Sequence, residues 1–218
     1  MASKAFLNTI YSARNRFAEQ LGKPDPDLLA PLVNPSFLGG PDWPNLRQAW
    51  RVIRSESSTF VMSDGLSDPF SDEGSENVGF GIEILVETSD PMPQELQSSW
   101  LFNLAYEVSQ QCADHGGIRS LIAQHGTLSL ELQVDDSIAF AETSNETVGV
   151  LLGLSSPGTP SSITISGREI YVVTAKLLWP TELDFVVSNG AKGRSELAKR
   201  FAESGQHHIS SVSRHALA

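Results

Sequence analysis

The feature that most constrains the fold is a nearly continuous apolar run, EIYVVTAKLLW, over residues 169–179. The run is rich in β-branched residues and has no regular polar face. Such a pattern is typical of a strand that is buried on both faces in the middle of a sheet. The chain must therefore supply covering elements for both sides of that sheet.

The rest of the chain predicts further strands and the helices that could cover them. Short apolar or alternating segments predict strands at residues 47–54, 58–62, 79–87, 128–132, 148–154 and 162–165. Helical spacing of apolar residues predicts helices at 3–21, 95–114, a short one reaching 124, and 194–204. Because neighbouring strands are often joined by short connections, we expect an α/β mixed (α+β) fold, with a mainly antiparallel mixed sheet covered by helices.

Two loops interrupt this pattern, and no linker divides the chain. Residues 31–46 contain four prolines, and residues 63–78 combine turn-forming residues with no apolar period. No stretch rich in proline and serine separates two independent halves. We therefore expect a single domain over residues 1–205, followed by a polar, frayed tail at 206–218.

Cysteine usage and hydropathy favour a cytoplasmic protein that does not enter a membrane. Cys112 is the one cysteine, so no internal disulfide forms, which suits a reducing compartment. Charged residues interrupt the first 21 residues, as they would not in a signal peptide. No stretch approaches the roughly 18 apolar residues of a membrane span.

Charge is concentrated in the middle of the chain. The net charge is −11, yet residues 56–150 hold one basic residue, Arg119, against seventeen acids. The flanking blocks are mildly basic. Such a middle repels nucleic acid and attracts a basic protein partner, although acids can also serve solubility alone.

Few residues suggest catalysis, a metal or a cofactor. His207 and His208 are adjacent, with His215 close by, but they lack the further ligands that a metal needs, so we predict no metal site. No nucleophile elbow, P-loop or dinucleotide motif occurs, and we predict no cofactor. Acidic pairs such as Asp64/Asp68 are too numerous in this chain to indicate acid–base chemistry.

The segment Asp64-Gly65-Leu66-Ser67-Asp68-Pro69-Phe70 mixes rigid turn residues with apolar ones. It either packs back on the core, with Asp64 and Asp68 capping backbone groups, or contacts a partner directly. In the following strand, Gly79 and Gly81 leave room for another backbone or side chain to approach.

In their order along the chain, several motifs resemble the core of the suppressor-of-fused (SUFU) family. They are DGLSDPF, GFGIEI with Glu83, the helix with Trp100, TLSLEL, VGVLLGL, LLWPTELDFVV with Trp179, Pro180 and Glu182, and GRSEL at 193–197. The resemblance is strongest over residues 45–205. It implies a compact α/β domain that binds rather than catalyses.

The resemblance also implies a kind of partner. Animal members clasp an extended peptide of a transcription factor between two domains, and this chain is too short for the second. Bacterial members of this size resemble immunity proteins that neutralise polymorphic toxins. We therefore expect an immunity-type inhibitor that covers a basic toxin domain with its acidic block. The candidate partner-binding residues are Asp64, Asp68, Asp72, Glu73, Glu76, Glu83 and Glu87.

Two alternative functions stay open at this point. One is a small hydrolase that uses carboxylates with a histidine such as His125, and it requires a pocket where these groups converge. The other is an adaptor that adds a peptide strand to an unpaired sheet edge beside Gly79 and Gly81.

Overall fold

A computed structural model describes residues 4–70, 76–133, 147–155 and 157–218. Within these residues the strands are β1 (Lys23–Pro24), β2 (Trp50–Arg54), β3 (Thr59–Ser63), β4 (Ile82–Thr88), β5 (Leu128–Gln133), β6 (Thr147–Leu152), β7 (Ser162–Ile165) and β8 (Arg168–Leu178). The helices are α1 (Lys4–Leu21), α2 (Trp100–His115), α3 (Ile118–His125) and α4 (Pro180–Glu203), with a short 3₁₀ helix at Pro35–Leu38.

The strands form one sheet in the order β1-β2-β3-β4-β8-β6-β5, and β7 also pairs with β8. β4 and β8 run parallel, from the pair Ile82–Tyr171 to the pair Leu85–Thr174. The other pairs are antiparallel. The expected mixed, mainly antiparallel α+β fold is confirmed, with the apolar run of residues 169–179 providing the central strand.

Helices cover both faces of the sheet. On one face, α2 packs on β4, β3 and β8, and its core includes Ile84, Leu104 and Val173. On the other face, α1 and α4 pack over the alternate residues, such as Leu85 and Leu151. Every residue of β4 is buried, because α1 and residues 206–218 cover the face that carries its acids.

The helix ends follow from local residues. The predicted first helix is α1, whose residues Phe6, Ile10 and Phe17 face the sheet. The helix predicted at 95–114 begins five residues later, because the Ser99 hydroxyl caps it, and it ends at Gly116 in a left-handed conformation. No helix in the described part of the chain is long and apolar enough to cross a membrane.

The last helix differs from the expectation, because it begins at Pro180 rather than near residue 194. Proline fits the first helical position, since its missing N–H would have no partner there. The Glu182 carboxylate accepts the Trp179 N–H at 2.8 Å and so closes the helix start. A kink at Gly190, with φ of 56°, allows the helix to continue into the predicted segment.

The segment at residues 206–218, called the tail segment below, also differs from the frayed tail that its polarity predicts. His208, Ser210 and Ser211 are buried. Ser210 forms a parallel bridge with Thr88 at the end of β4. Polar groups on the sheet bind this segment, which composition alone does not reveal.

Candidate functional site

Residues 64–70, called the inner loop below, fold into the protein rather than outward. The side chains of Asp64, Leu66, Ser67 and Asp68 are at most 1% exposed. The loop follows β3 on the face that α1 covers. The sequence predicted either that this segment packs on the core or that it contacts a partner directly, and the structure shows that it packs on the core.

A buried arginine from α1 lies at the centre of the inner loop. Arg14 has no exposed surface, and its Nη1 lies 2.7 Å from the Glu83 carboxylate. Its Nη2 lies 2.5 Å from Asp68 Oδ1, and its Nε lies 3.0 Å from Asp64 Oδ1. One guanidinium thus joins three carboxylates from two separate parts of the chain.

Two further arginines complete this group. Arg47 Nη1 lies 3.0 Å and Arg51 Nη2 lies 2.7 Å from Asp64, and both side chains are partly exposed. Three arginines therefore balance three carboxylates. We call this group, Arg14, Arg47, Arg51, Asp64, Asp68 and Glu83, the Arg14 cluster. Balanced charge and short contacts offset the cost of burying ions.

Glu83 also receives hydrogen bonds from the loop backbone. The Ser67 N–H and hydroxyl donate to its Oε1 at 3.1 and 2.6 Å, and the Gly65 N–H donates at 3.3 Å. The Ser63 hydroxyl donates to the other carboxylate oxygen and accepts the Ile84 N–H at 2.8 Å. This carboxylate therefore fixes the path of the inner loop.

Burial and charge act differently on the two aspartates. Burial opposes ionisation of Asp64, but the charges of Arg14, Arg47 and Arg51 outweigh it, so the pKa of this carboxyl lies below its usual value. Burial raises the pKa of Asp68 to about 6, with a further contribution from Glu83 and against the effect of Arg14.

The inner loop supports a second loop, residues 31–46, which we call the apolar loop. A Cβ on Gly65 would lie 2.4 Å from the Arg47 carbonyl oxygen and 3.0 Å from the Trp43 ring. A Cβ on Gly79 would lie 2.3 Å from the Asp68 carbonyl oxygen and 2.8 Å from Pro44. These close approaches, which the glycines permit, join the Arg14 cluster to the base of the apolar loop.

The apolar loop is ordered by its own hydrogen bonds. The Asn34 amide donates to the Leu46 carbonyl at 2.5 Å, and its Oδ1 accepts the Ser36 N–H at 3.0 Å. Pro35 is buried, and its carbonyl accepts the Gly40 N–H at 2.9 Å. The loop is therefore held in one shape while part of it faces solvent.

This shape exposes apolar side chains. Phe37 is 71% and Leu38 is 77% exposed. In the described part of the chain, five of the six exposed large apolar residues belong to this loop, and they are Leu32, Val33, Phe37, Leu38 and Leu46. A concentration of apolar groups on a rigid loop is typical of a protein-binding surface.

The acids predicted to bind a partner occupy several environments. Asp64, Asp68 and Glu83 lie in the Arg14 cluster, where arginines neutralise them. Glu87 is buried beside His208, whose Nε2 lies 2.7 Å from the carboxylate. Of the remaining three, Glu76 is exposed. Asp72 and Glu73 lie outside the described residues.

Other acids of the central block lie on α2 and β5, where Asp114 and Glu131 are exposed and Glu107 is half-buried. Glu107, Gln111 and Asp114 share one side of α2, because they are four and three residues apart. The Gln111 amide donates to the Glu131 carbonyl at 3.3 Å, which places this side of α2 beside β5. Glu107, Asp114 and Glu131 therefore lie on the same side of the molecule.

Sequence reasoning did not identify Arg14 as part of the site. A signal was present, since position 14 lies four residues after Ile10 and three before Phe17 on the apolar stripe of α1. An arginine at such a position must find buried acids. Which acids it finds depends on contacts more than fifty residues away along the chain.

A cavity of about 300 Å³ opens beside β8, where residues 153–155 and 157–161 leave the sheet between β6 and β7. Its described lining includes Glu169 and Tyr171 but no histidine. His125 is exposed at the end of α3. Among the residues that the structure describes, no group of three histidine, cysteine or acidic side chains could hold a metal ion.

The sheet edge of the adaptor alternative is occupied where it was expected. Gly81 lies just before β4, and its carbonyl accepts the Tyr171 N–H of β8 at 2.9 Å. A Cβ on this glycine would lie 2.6 Å from Arg119 Nη1. The space beside the glycines is therefore filled by the protein itself, and β4 is a central strand.

A second buried cation lies on the face covered by α4. Lys176 of β8 has no exposed surface, and its ammonium group lies 4.4 Å from the centre of the Phe201 ring. It donates to the Ile209 carbonyl of the tail segment. Burial and the charge of Arg214 lower the pKa of Lys176 to about 7, against the opposing effect of Glu182.

The shifted pKa of Lys176 predicts a pH-dependent stability. Between pH 7 and the usual pKa of 10.5, the unfolded chain binds a proton that the folded chain does not, so stability rises with pH. Replacing Lys176 with methionine removes this contribution. The difference in unfolding free energy between variant and wild type should change by about 3–4 kcal/mol between pH 7 and pH 10 in denaturant titrations. Parallel pH profiles would show that Lys176 titrates normally.

Comparisons with known proteins bear on the fold. The chain matches no protein-family model and no curated protein sequence. It is similar in structure to a chain of the Sufu-Fu complex crystal structure, with a TM-score of 0.55 and 15% sequence identity. The match covers 96% of this chain and 90% of that one. The fold is therefore SUFU-like.

Proposed function

We propose that this chain is a non-catalytic protein-binding module of SUFU type that uses the apolar loop as its main contact surface. The observation that carries the proposal is the exposure of Phe37, Leu38 and their neighbours on a loop that the hydrogen bonds of Asn34 and the packing of the inner loop hold in one conformation. Rigid apolar groups supply the centre of most protein interfaces, and rigidity reduces the entropy lost on binding.

The partner that fits best is basic, and the role that fits best is immunity-type inhibition of a toxin domain in the cytoplasm. Four acids are buried in the described part of the central block, but Glu76 and Asp114 are exposed and Arg119 is the one basic residue of the block, so its exposed charge is mainly negative. Exposed acids accelerate the approach of a basic protein, and the apolar loop would then hold it. The buried acids contribute to this role indirectly, by fixing the scaffold.

The test is capture of partners from a lysate of the native host by the purified chain. We expect the double variant Phe37→Ser/Leu38→Ser to lose specific partners that the wild type retains. Val187→Ser is the matched control, since Val187 is 70% exposed on α4, outside the apolar loop. If the double variant still captures the same partners, the apolar loop is not the contact surface.

Salt separates the two contributions to binding. Steering by exposed acids weakens as the screening length falls to about 8 Å near physiological salt, whereas apolar contact does not. The association rate of a captured partner should therefore fall with salt while its dissociation rate changes little. An association rate that does not depend on salt would contradict steering by the exposed acids, but it would not contradict binding by the apolar loop.

A further inference from the structure

The two central strands separate at one end of the sheet, and the tail segment fills the opening. β4 and β8 are paired as far as Leu85 and Thr174, and β8 then continues beside β6. The Ser210 N–H donates to the Glu87 carbonyl of β4 at 2.8 Å. The Ser210 hydroxyl accepts the Leu177 N–H of β8 at 2.9 Å. Ser210 thus bridges the two strands as an inserted strand residue would.

Acidic side chains along this opening receive the rest of the tail segment. Asp90 accepts the Val212 N–H at 2.8 Å, the Ser211 hydroxyl at 2.7 Å and the Ser213 hydroxyl at 3.1 Å. Each of these contacts uses a hydroxyl or a backbone N–H. A single carboxylate therefore holds three consecutive residues of the segment.

Two basic side chains of the tail segment reach two further carboxylates. His208 Nε2 lies 2.7 Å from the Glu87 carboxylate. The Arg214 guanidinium binds Glu182 through two nitrogens, one of them at 2.6 Å. Bidentate pairing of this kind is strong and directional.

The contacts that hold the tail segment are mainly polar. Its apolar residues Ile209, Val212 and Leu217 are only half-buried. Without the segment, the opening would present three carboxylates, those of Glu87, Asp90 and Glu182, against one cation, Lys176. It would also present unpaired backbone groups of β4 and β8, which favour an added strand.

We propose that the opening between β4 and β8 binds an extended peptide segment with serine hydroxyls and basic side chains, and that the tail segment occupies this site in the free protein. A partner would bind by replacing the tail segment with a stretch of the same chemistry. This proposal goes beyond the function proposed above, since it needs neither the apolar loop nor a toxin partner.

The probe is a fluorescent synthetic peptide with the sequence of residues 206–218, titrated against the full chain. In the variant Arg214→Ala the tail segment loses its bidentate contact and leaves the site more often, so the free fraction of sites rises. We expect this variant to bind the peptide at least about tenfold more tightly than the wild type does. Arg16→Ala, at an exposed position of α1, is the control and should bind as the wild type does.

Two changes should weaken peptide binding to Arg214→Ala. The peptide with Ser210→Pro lacks the N–H that the backbone carbonyl of Glu87 accepts. The protein with Glu87→Gln keeps this carbonyl but lacks the side-chain charge beside His208. A peptide of the same composition in scrambled order should not bind. Equal binding of the ordered and scrambled peptides, or no saturable binding to Arg214→Ala, would overturn the proposal.

A second measurement keeps the test valid if Arg214→Ala fails to fold. The exposed Ala216 is replaced by cysteine and labelled in the otherwise native chain, where Cys112 is buried and burial raises its pKa to about 12. Excess unlabelled peptide should displace the tail segment and increase the mobility of the label. An unchanged label at saturating peptide would contradict the proposal. The Phe37→Ser/Leu38→Ser variant should respond as the wild type does, so failure of the apolar loop and failure of this site are distinguishable.

Discussion

Replacing Arg14 with methionine is expected to lower the free energy of unfolding by about 3–5 kcal/mol, because removing one member of a buried ionic group leaves the others without compensation. Asp68 and Glu83 would keep their burial but lose their nearest cation, whereas Asp64 would keep Arg47 and Arg51. Methionine fills most of the arginine volume, so the loss measures charge rather than a cavity. Urea titration followed by circular dichroism gives the value.

The loss should also depend on pH in a defined direction. Burial raises the pKa of Asp68 and the charge of Arg14 opposes that rise, so without Arg14 this carboxyl binds its proton in the folded state at a higher pH than in the wild type, and the variant gains more stability as pH falls. The difference in the free energy of unfolding between the variant and the wild type should therefore become smaller from pH 7 towards pH 5. Arg16→Met, in the same helix but exposed, should leave stability nearly unchanged. Equal effects of the two substitutions would show that the Arg14 cluster contributes little.

Replacing Gly79 with alanine is expected to cost about 2–5 kcal/mol, which combines backbone strain and overpacking. The strain arises because Gly79 has φ of 53°, a left-handed value. The overpacking arises because its Cβ would lie 2.3 Å from the Asp68 carbonyl oxygen and 2.7 Å from that of Leu66. Backbone atoms cannot move aside as a flexible side chain can, so the inner loop must shift.

Gly158 provides the matched control for this substitution. Its φ is 88°, but a Cβ there would meet no atom within 4 Å. Gly158→Ala should therefore cost only the backbone strain, about 1–2 kcal/mol. Thermal unfolding of both variants, with the binding activity of each, separates the two effects. Equal costs at the two positions would show that the inner loop does not press on Gly79.

These two predictions concern one chain of contacts. The Arg14 cluster fixes the inner loop, the inner loop packs on Trp43 and the Arg47 backbone, and Gly79 lies between the inner loop and Pro44, so that this packing supports the apolar loop. Variants of Arg14 or Gly79 should consequently weaken partner binding as well as stability, even under conditions where the chain stays folded.

Much of the fold was predictable because the signals are local. The apolar run of β8, the alternation before Glu87 in β4 and the apolar stripes of α1 and α2 each lie within about twenty residues. The glycine-based expectation of a close approach at Gly79 and Gly81 also holds, since both positions meet other parts of the chain. Mixed strand pairing followed from short connections.

The site was less predictable because its contacts are distant. Glu83 and Glu87 alternate with apolar residues as a solvent-facing strand would, and only the packing of α1 and the tail segment buries them. The start of α4 at Pro180 could not be predicted, because the few apolar residues of PTELDFVV, which follow directly on a strand, are compatible with either a strand or a helix. The charge excess of the central block concealed that its acids divide between buried ion pairs and exposed positions.

The most direct test of non-catalytic binding uses a captured partner in purified form. The chain and the partner are mixed at several ratios, and the complex and the intact mass of the partner are measured. The account predicts a stoichiometric complex and a partner whose mass does not change. Conversion of the partner to a different mass by a substoichiometric amount of the chain would show catalysis and contradict it.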